Sequence, residues 1–186
     1  MTIYRSFASD ATVAGDGRTI VLTCVPYDTP TTVDDGNGPY VEEFAHGAFR
    51  KAVKAPHRVE LRYRHADGVG NLLGRATDLV ETPSALVGTF RAVGPNGDQV
   101  LAMVADGLLT GASVGAMVHP NGTEVVTRGG HTITRRTLIS RLMEVSLVPE
   151  PAYADAGVLA VREGVPDADT LRAVRERARW EWYRSR

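Results

Sequence analysis

The sequence has a single cysteine, Cys24, among its 186 residues. A lone cysteine cannot form an internal disulfide bond, and no second cysteine stands at the spacing of a metal site. The chain also lacks any apolar run of about 18 residues, the length that a membrane-spanning helix needs, and its N-terminal segment lacks the apolar stretch of a secretory signal. We therefore expect a cytoplasmic protein without membrane contact, in which Cys24 is a small buried side chain.

An excess of charge of one sign is also missing, because 21 Lys and Arg residues face 22 Asp and Glu residues and give a net charge of −1. This balance provides no general attraction for nucleic acid or for an anionic membrane. Hydrophobic residues make up 43% of the chain and charged residues 23%, which excludes wholesale disorder and allows one sizeable core. We expect one domain over residues 1–161.

Residues 162–186 are expected to form a linker and a basic amphipathic helix that begins near Asp169. Arginines crowd this segment, while an apolar stripe recurs at helical spacing. The stripe consists of Leu171, Val174, Ala178 and Trp182. The helix either docks on the domain or binds a partner, and the sequence leaves both possibilities open.

Short β-strands dominate the pattern of the domain. Val59, Leu61 and Tyr63 alternate with charged residues, which is typical of a half-buried strand. Apolar residues at helical spacing over 41–53 and 100–108 predict two short helices, the first of them after Gly47. Seven or eight strands with few helices predict a mixed, mainly β domain built on an antiparallel sheet or barrel. The other predicted strands are 20–24, 76–80, 85–90, 125–127, 132–134 and 137–148.

Small residues surround Ser113 in the segment Thr-Gly-Ala-Ser-Val-Gly-Ala-Met, residues 110–117. With so little side-chain bulk, a peptide could approach the Ser113 hydroxyl, and backbone N–H groups could face a developing oxyanion. A strand packed tightly under a helix gives the same pattern. Ser113 is therefore a candidate nucleophile only in combination with other groups.

Two further residues complete a possible catalytic set. His65 follows the strand 59–63 and precedes a turn, so it could reach a cleft, although a hydrogen-bonded core histidine gives the same pattern. Glu144 lies in the apolar run 142–148, where a carboxylate needs a partner such as an imidazole or Arg141. A serine, a histidine and a carboxylate supply a nucleophile, a base and an orienting group.

Four sequence blocks stand in a set order along the chain: Arg64-His65, Leu73-Gly74-Arg75, residues 107–115, and residues 143–148 followed by Pro151-Ala152. Together they resemble the prohead proteases of tailed phages. The resemblance spans roughly Tyr4 to Val161, and it implies a serine endopeptidase with Ser113, His65 and Glu144 as catalytic residues. It also implies a fold similar to that of herpesvirus assemblins, which is a closed antiparallel β-barrel of about seven strands with peripheral helices.

The third catalytic position has a second candidate, because assemblins use a histidine there. We expect Glu144, which lies in the matching Glu-Val-Ser block, rather than His131, which follows two glycines in a predicted hairpin turn. Arg135-Arg136 resembles the arginine pair that supports the oxyanion hole in assemblins, but its spacing from the serine differs.

The resemblance further implies limited proteolysis inside an assembling procapsid in the host cytoplasm. The expected substrates are a scaffolding protein or the scaffolding segment of the major capsid protein, and the protease itself, so self-association is also expected. No cofactor and no metal is expected, since the serine mechanism uses only protein groups. The alternatives are a catalytically silent assembly module that binds capsid protein, and a metal site made from His46, His57, His65 and Asp67.

Overall fold

The computed structural model describes residues 1–149. The predicted C-terminal helix, the linker before it and the Pro151-Ala152 block lie outside the described residues, as does the predicted domain boundary after residue 161. Two α-helices and two short 3-10 turns accompany twelve strands in the described part. The helices are α1 (Arg50–Val53) and α2 (Gly94–Ala105), and the 3-10 turns are Pro56–Arg58 and Val69–Asn71. None of these helices is long and apolar enough to cross a membrane.

The strands form two sheets. In chain order they are β1 (Thr2–Ala8), β2 (Thr12–Val13), β3 (Thr19–Pro26), β4 (Thr31–Asp34), β5 (Pro39–Phe44), β6 (Glu60–Tyr63), β7 (Leu72–Glu81), β8 (Ala85–Ala92), β9 (Gly111–Val118), β10 (Thr123–Arg128), β11 (His131–Arg136) and β12 (Ile139–Val148). The larger sheet has the order β1-β9-β12-β6-β7-β8-β3-β2, and the smaller has the order β10-β11-β5-β4.

The prediction of a closed antiparallel barrel is wrong. The eight-stranded sheet is an open half-barrel whose edges are β1 and β2, and β3 packs across its interior against β1 and β9 without hydrogen-bonded strand pairing. Side chains of β1 contact the four-stranded sheet, Arg5 at Glu42 and Phe7 at Phe44. Two of the strand pairs, β12 with β6 and β11 with β5, are also parallel rather than antiparallel.

The prediction of a mainly β domain is confirmed. The hairpins β7–β8 and β10–β11, the strands β3, β6 and β12, and the helix α2 all overlap predicted segments. Strands β1, β2, β4 and β5 were not predicted. The short helix predicted after Gly47 is confirmed as α1, while the residues before it form β5, which runs to Phe44; Gly47, with a φ of 86°, lies between the two.

One core joins the two sheets and both α-helices. Ile20 and Leu22 of β3 and Phe90 of β8 are fully buried in it, as Cys24 is. The Phe7 ring of β1 packs edge-on against the Phe44 ring of β5, with centroids 6.2 Å apart. This packing sets β1 against the four-stranded sheet on one face and leaves its other face for the candidate site.

A buried charge network also links the two sheets through β1. Arg5 Nε donates to Glu42 Oε2 at 2.5 Å, and the Arg5 Nη atoms donate to Asp35 at 2.9 and 2.8 Å. On the other side, Arg136 Nε donates to Glu42 Oε1 at 2.6 Å. Burial lowers the pKa of the Arg5 guanidinium, but its hydrogen bonds to Asp35 and Glu42 outweigh burial and raise it. Burial, together with a hydrogen bond to Asp35, raises the pKa of Tyr40 to about 12. Because removing one partner would leave buried charges unpaired, the network fixes the position of β1.

Candidate active site

Ser113 lies in the middle of β9, between β1 and β12. Its neighbours along the strand alternate between the two faces of the sheet, and the core takes Ala112, Val114 and Ala116, which are all fully buried. The opposite face carries Ser113, which is 1% exposed. The small residues at 112 and 116 therefore serve core packing, and not, as their pattern first indicated, the approach of a peptide.

His65 owes its direction to an unusual backbone turn. The strand β6 ends at Tyr63, and Arg64 and His65 follow with φ angles of 54° and 57°. Residues other than glycine rarely adopt this left-handed conformation, and holding it requires support from the surroundings. The His65 N–H donates to Ser146 Oγ at 3.0 Å, and the Ala66 N–H donates to the Tyr63 carbonyl at 3.2 Å. The imidazole thus turns back over β9 and β12, where it contacts Ser113 and Glu144.

Glu144 reaches the same face because β12 contains a bulge. Leu142 pairs with Ala116 and Glu144 pairs with Gly115, so Met143 has no partner in the ladder. An extra residue of this kind redirects the side chains that follow it. Leu142 therefore lies in the core, while Glu144, which is 7% exposed, lies on the face that holds Ser113.

The three predicted catalytic side chains lie in contact. His65 Nδ1 donates to Glu144 Oε1, and His65 Nε2 lies 2.5 Å from Ser113 Oγ. A carboxylate offers only acceptors, so the hydrogen of a neutral imidazole is assigned to Nδ1 and Nε2 is left as an acceptor. In that tautomer Nε2 can take the proton of the Ser113 hydroxyl, as a general base does.

Gly115 provides the room that Glu144 needs. A Cβ atom at this position would lie 2.9 Å from Glu144 Cγ, 3.0 Å from Glu144 Oε1 and 3.0 Å from Tyr4 Cε1. The 2.9 Å contact is shorter than real Cβ atoms show and the two at 3.0 Å are tighter than most, so any other residue would push on the Glu144 side chain and the Tyr4 ring. The glycine therefore matters for the fit of Glu144 against His65.

Arg62, which the sequence did not indicate as a site residue, binds Glu144 Oε2, the carboxylate oxygen that does not contact His65. Arg62 Nε lies 3.1 Å from Glu144 Oε2, and its guanidinium also binds Glu60 and Asp67 at 2.8 and 3.0 Å. The hydrogen bond to Glu60 is the main cause that raises the pKa of the Arg62 guanidinium. Arg141, which was predicted as a possible partner of Glu144, does not fill that role. The alternation of β6 places Arg62 on the face opposite Leu61, and this is the sequence signal that could have indicated it. On that face Arg62 pairs with Ser146 of β12.

The strand β1 supplies further contacts that the sequence did not indicate. Ser6 pairs directly with Ser113 in the ladder, and their hydroxyl oxygens lie 2.8 Å apart. The Arg5 carbonyl oxygen lies 3.1 Å from Ser113 Oγ. The Tyr4 ring meets the His65 ring edge-on, with centroids 4.9 Å apart. Ser113 is thus enclosed by β1 on one side and by His65 on the other.

The remaining candidates lie elsewhere. His131 is exposed at the start of β11 in the four-stranded sheet, and Arg135 and Arg136 bind Glu43 and Glu42 there instead of joining Ser113. Within residues 1–149, no three His, Cys, Asp or Glu side chains are grouped to hold a metal ion. The structure therefore does not assemble the four residues of the metal-site alternative.

Comparisons with known proteins agree with the resemblance seen in the sequence. A family model described as caudovirus prohead serine protease matches residues 25–169, which is more than half of the chain. No curated protein matches the chain. Among solved structures, the chain is similar to the capsid assembly protease of bacteriophage T4, with 13% identity, a TM-score of 0.44, and coverage of 80% of this chain and 97% of that one. The family match includes Ser113, His65 and Glu144 and leaves out β1.

Proposed function

Because the chain belongs to the caudovirus prohead serine protease family, we propose that it is a serine endopeptidase that acts in capsid maturation. Ser113 is the proposed nucleophile, His65 the general base, and Glu144 the group that orients His65. One observation carries this assignment: a single imidazole contacts the Ser113 hydroxyl through Nε2 and the Glu144 carboxylate through Nδ1.

The reaction begins when Ser113 Oγ attacks the scissile carbonyl carbon and passes its proton to His65 Nε2. Glu144 stabilises the imidazolium that forms, and the tetrahedral intermediate collapses as His65 returns the proton to the leaving amine. A water molecule then attacks the acyl-enzyme ester while His65 accepts its proton. Collapse of the second intermediate releases the carboxylic acid product and restores the Ser113 hydroxyl.

The site is set among nearly buried groups, which favours this chemistry. Ser113, Glu144 and Ser146 are at most 7% exposed, and electrostatic interactions are stronger in such surroundings than in water. The same face also carries Tyr4 and Met117, which are 54% and 39% exposed. Tyr4, whose ring contacts His65, and Met117 provide exposed apolar surface on this face on which a peptide could lie.

The proposed substrates follow from the family, whose members act in proheads. They are a scaffolding protein or the scaffolding segment of the major capsid protein, and the chain itself, within a procapsid in the host cytoplasm.

Residues 162–186 are proposed to deliver the enzyme to the immature shell, because their arginines and aromatic residues are types favoured at protein interfaces. A chain truncated after Glu163 should then keep its activity on a free peptide but be depleted from proheads, and equal packaging would contradict this role.

The function is tested by expressing the full chain together with the major capsid protein of the same phage. We expect a shortened capsid protein on gels, with a single cut site defined by mass spectrometry. Ser113→Ala should abolish the product, since loss of a serine nucleophile lowers the rate by about a million-fold. Ser84→Ala, in the exposed turn between β7 and β8, is the control and should cleave normally. Uncut capsid protein in normally assembled shells would instead support the catalytically silent assembly module.

A further inference from the structure

The Ser113 hydroxyl has more neighbours than one proton can serve. Ser113 Oγ lies 2.5 Å from His65 Nε2, 3.1 Å from the Arg5 carbonyl oxygen and 2.8 Å from Ser6 Oγ. In the neutral His65 tautomer, both Nε2 and the carbonyl oxygen are acceptors, and they compete for the single hydrogen of Ser113. A hydroxyl that donates to the Oγ of Ser113 occupies one of its lone pairs and restricts where that hydrogen can point.

We propose that Ser6 is a positioning residue for the nucleophile, an inference that rests on the proposed protease function. The Ser6 hydroxyl donates to Ser113 Oγ and holds the serine rotamer in which the Ser113 hydrogen is directed to His65 Nε2. When His65 has taken that proton, Ser113 Oγ is bonded to the substrate carbon and carries no hydrogen. The Ser6 hydroxyl can still donate to Ser113 Oγ in that state, so it supports the nucleophile before and after the proton transfer.

The geometry of β1 allows Ser6 to do this. Seven consecutive register pairs join β1 to β9, and Ser6 faces Ser113 in one of them. Arg5, the adjacent residue, anchors the strand to the four-stranded sheet through its hydrogen bonds to Glu42 and Asp35. The backbone at Ser6 is thus held by strand pairing with β9 and by the buried ion pair of the adjacent Arg5. A rigid supporting group of this kind keeps a reactive atom in its productive position.

Strand β1 lies before residue 25, where the family match begins. The matched segment alone therefore lacks Ser6 and the other residues of β1 that contact Ser113 and His65. A hydroxyl that acts through Ser113 should influence the rate of bond cleavage more than the binding of substrate, because it makes no proposed contact with the substrate.

The test uses steady-state kinetics of the full chain on a peptide that spans the cut site mapped in the capsid protein. We expect Ser6→Ala to lower kcat about tenfold with little change in KM, which corresponds to about 1.4 kcal/mol. Ser6→Thr retains the hydroxyl and should keep most of the wild-type rate. Ser6→Val has nearly the same shape as Ser6→Thr but lacks the hydroxyl, and its rate should be as low as that of Ser6→Ala. Thr2→Ala removes a hydroxyl from the same face of β1, opposite Met117, and should behave as the wild type.

The Thr and Val variants decide the question if Ser6→Ala fails to fold, because both residues favour β-strands. Equal kcat values for Ser6→Thr and Ser6→Val, or for Ser6→Ala and the wild type, would overturn the role of Ser6 while leaving the protease function intact. A wild-type chain that is no more active than Ser113→Ala would overturn the protease function and the role of Ser6 together.

Discussion

His65 Nδ1 donates to Glu144 Oε1 across the parallel pairing of β6 and β12. The two residues are 79 positions apart in the chain, and each reaches the contact through a local irregularity. The left-handed turn at His65 swings the imidazole over the sheet, and the bulge at Met143 turns the carboxylate towards it. This contact determines which imidazole nitrogen faces Ser113.

The contact predicts that Glu144→Gln keeps the fold but lowers kcat by roughly 10³- to 10⁴-fold. An amide would favour the wrong imidazole tautomer and could not stabilise the imidazolium. His131→Ala, an exposed residue of the other sheet, is the matched comparison and should have almost no effect. Initial rates of peptide cleavage measure both variants, and the reverse ranking would assign the third catalytic position to His131.

Replacing Gly115 should disturb the contact between His65 and Glu144, because the new side chain would displace Glu144. In Gly115→Ala the new methyl group would press on Glu144 Cγ and Tyr4 Cε1 at 2.9 and 3.0 Å. We expect a loss of about 1–3 kcal/mol in the free energy of unfolding and a fall in kcat of about 100-fold, as displacements near 1 Å commonly cause. Gly15→Ala is the control, since nothing lies within 4 Å of its Cβ position. Full activity of Gly115→Ala would show that the carboxylate tolerates displacement.

The buried network between the sheets should be sensitive to the loss of one partner. Glu42→Ala leaves Arg5 and Arg136 without their shared carboxylate and is expected to lower the free energy of unfolding by about 3–5 kcal/mol. Asp98→Ala breaks the pair with Arg18, in which both side chains are about half exposed, and should change it by less than about 1 kcal/mol. Urea unfolding measures both changes, and similar values for the two variants would contradict the structural role of the network.

The lowered pKa of the Asp35 carboxyl links the stability of the fold to pH. The hydrogen bond from Arg5 is the main cause that lowers the pKa of the Asp35 carboxyl in the folded protein below its ordinary value of 3.8. Folding therefore favours the ionised form, and this stabilisation is present above pH 3.8 and is lost as the pH falls through the folded-state pKa. Wild type should accordingly be more stable than Asp35→Asn at pH 7, and the gap should shrink below about pH 4. Thermal unfolding at both pH values measures the gap, and a constant difference would rule out this linkage.

Much of the strand pattern could be predicted because alternating or continuous apolar residues, separated by turn-forming residues, mark the strands. Leu61 and its neighbours in β6 follow a period of two, and the β7–β8 hairpin is marked by turn-forming residues between its strands. The closed barrel came from the resemblance alone, and it was wrong because strand pairing at a sheet edge depends on contacts distant in sequence. For β1, those contacts run through Arg5 to Glu42.

The candidate site was identified from residue types and block order, but its geometry could not be derived from them. Simple alternation places Leu142 and Glu144 on one face, whereas the bulge at Met143 separates them. No periodic pattern indicates that His65 adopts a positive φ. Ser6 carried no signal either, because its importance depends on the register that sets it opposite Ser113.

The most direct measurement of the central claim is reaction of the purified full chain with a fluorophosphonate, which phosphonylates activated serine nucleophiles. Peptide mass spectrometry should find a single adduct on Ser113, and the rate of its formation should fall sharply in His65→Ala and Glu144→Gln. This result follows from a hydroxyl whose proton His65 Nε2 can accept while Glu144 holds the imidazole. An unmodified Ser113, or an adduct on another serine while Ser113 stays free, would contradict the account.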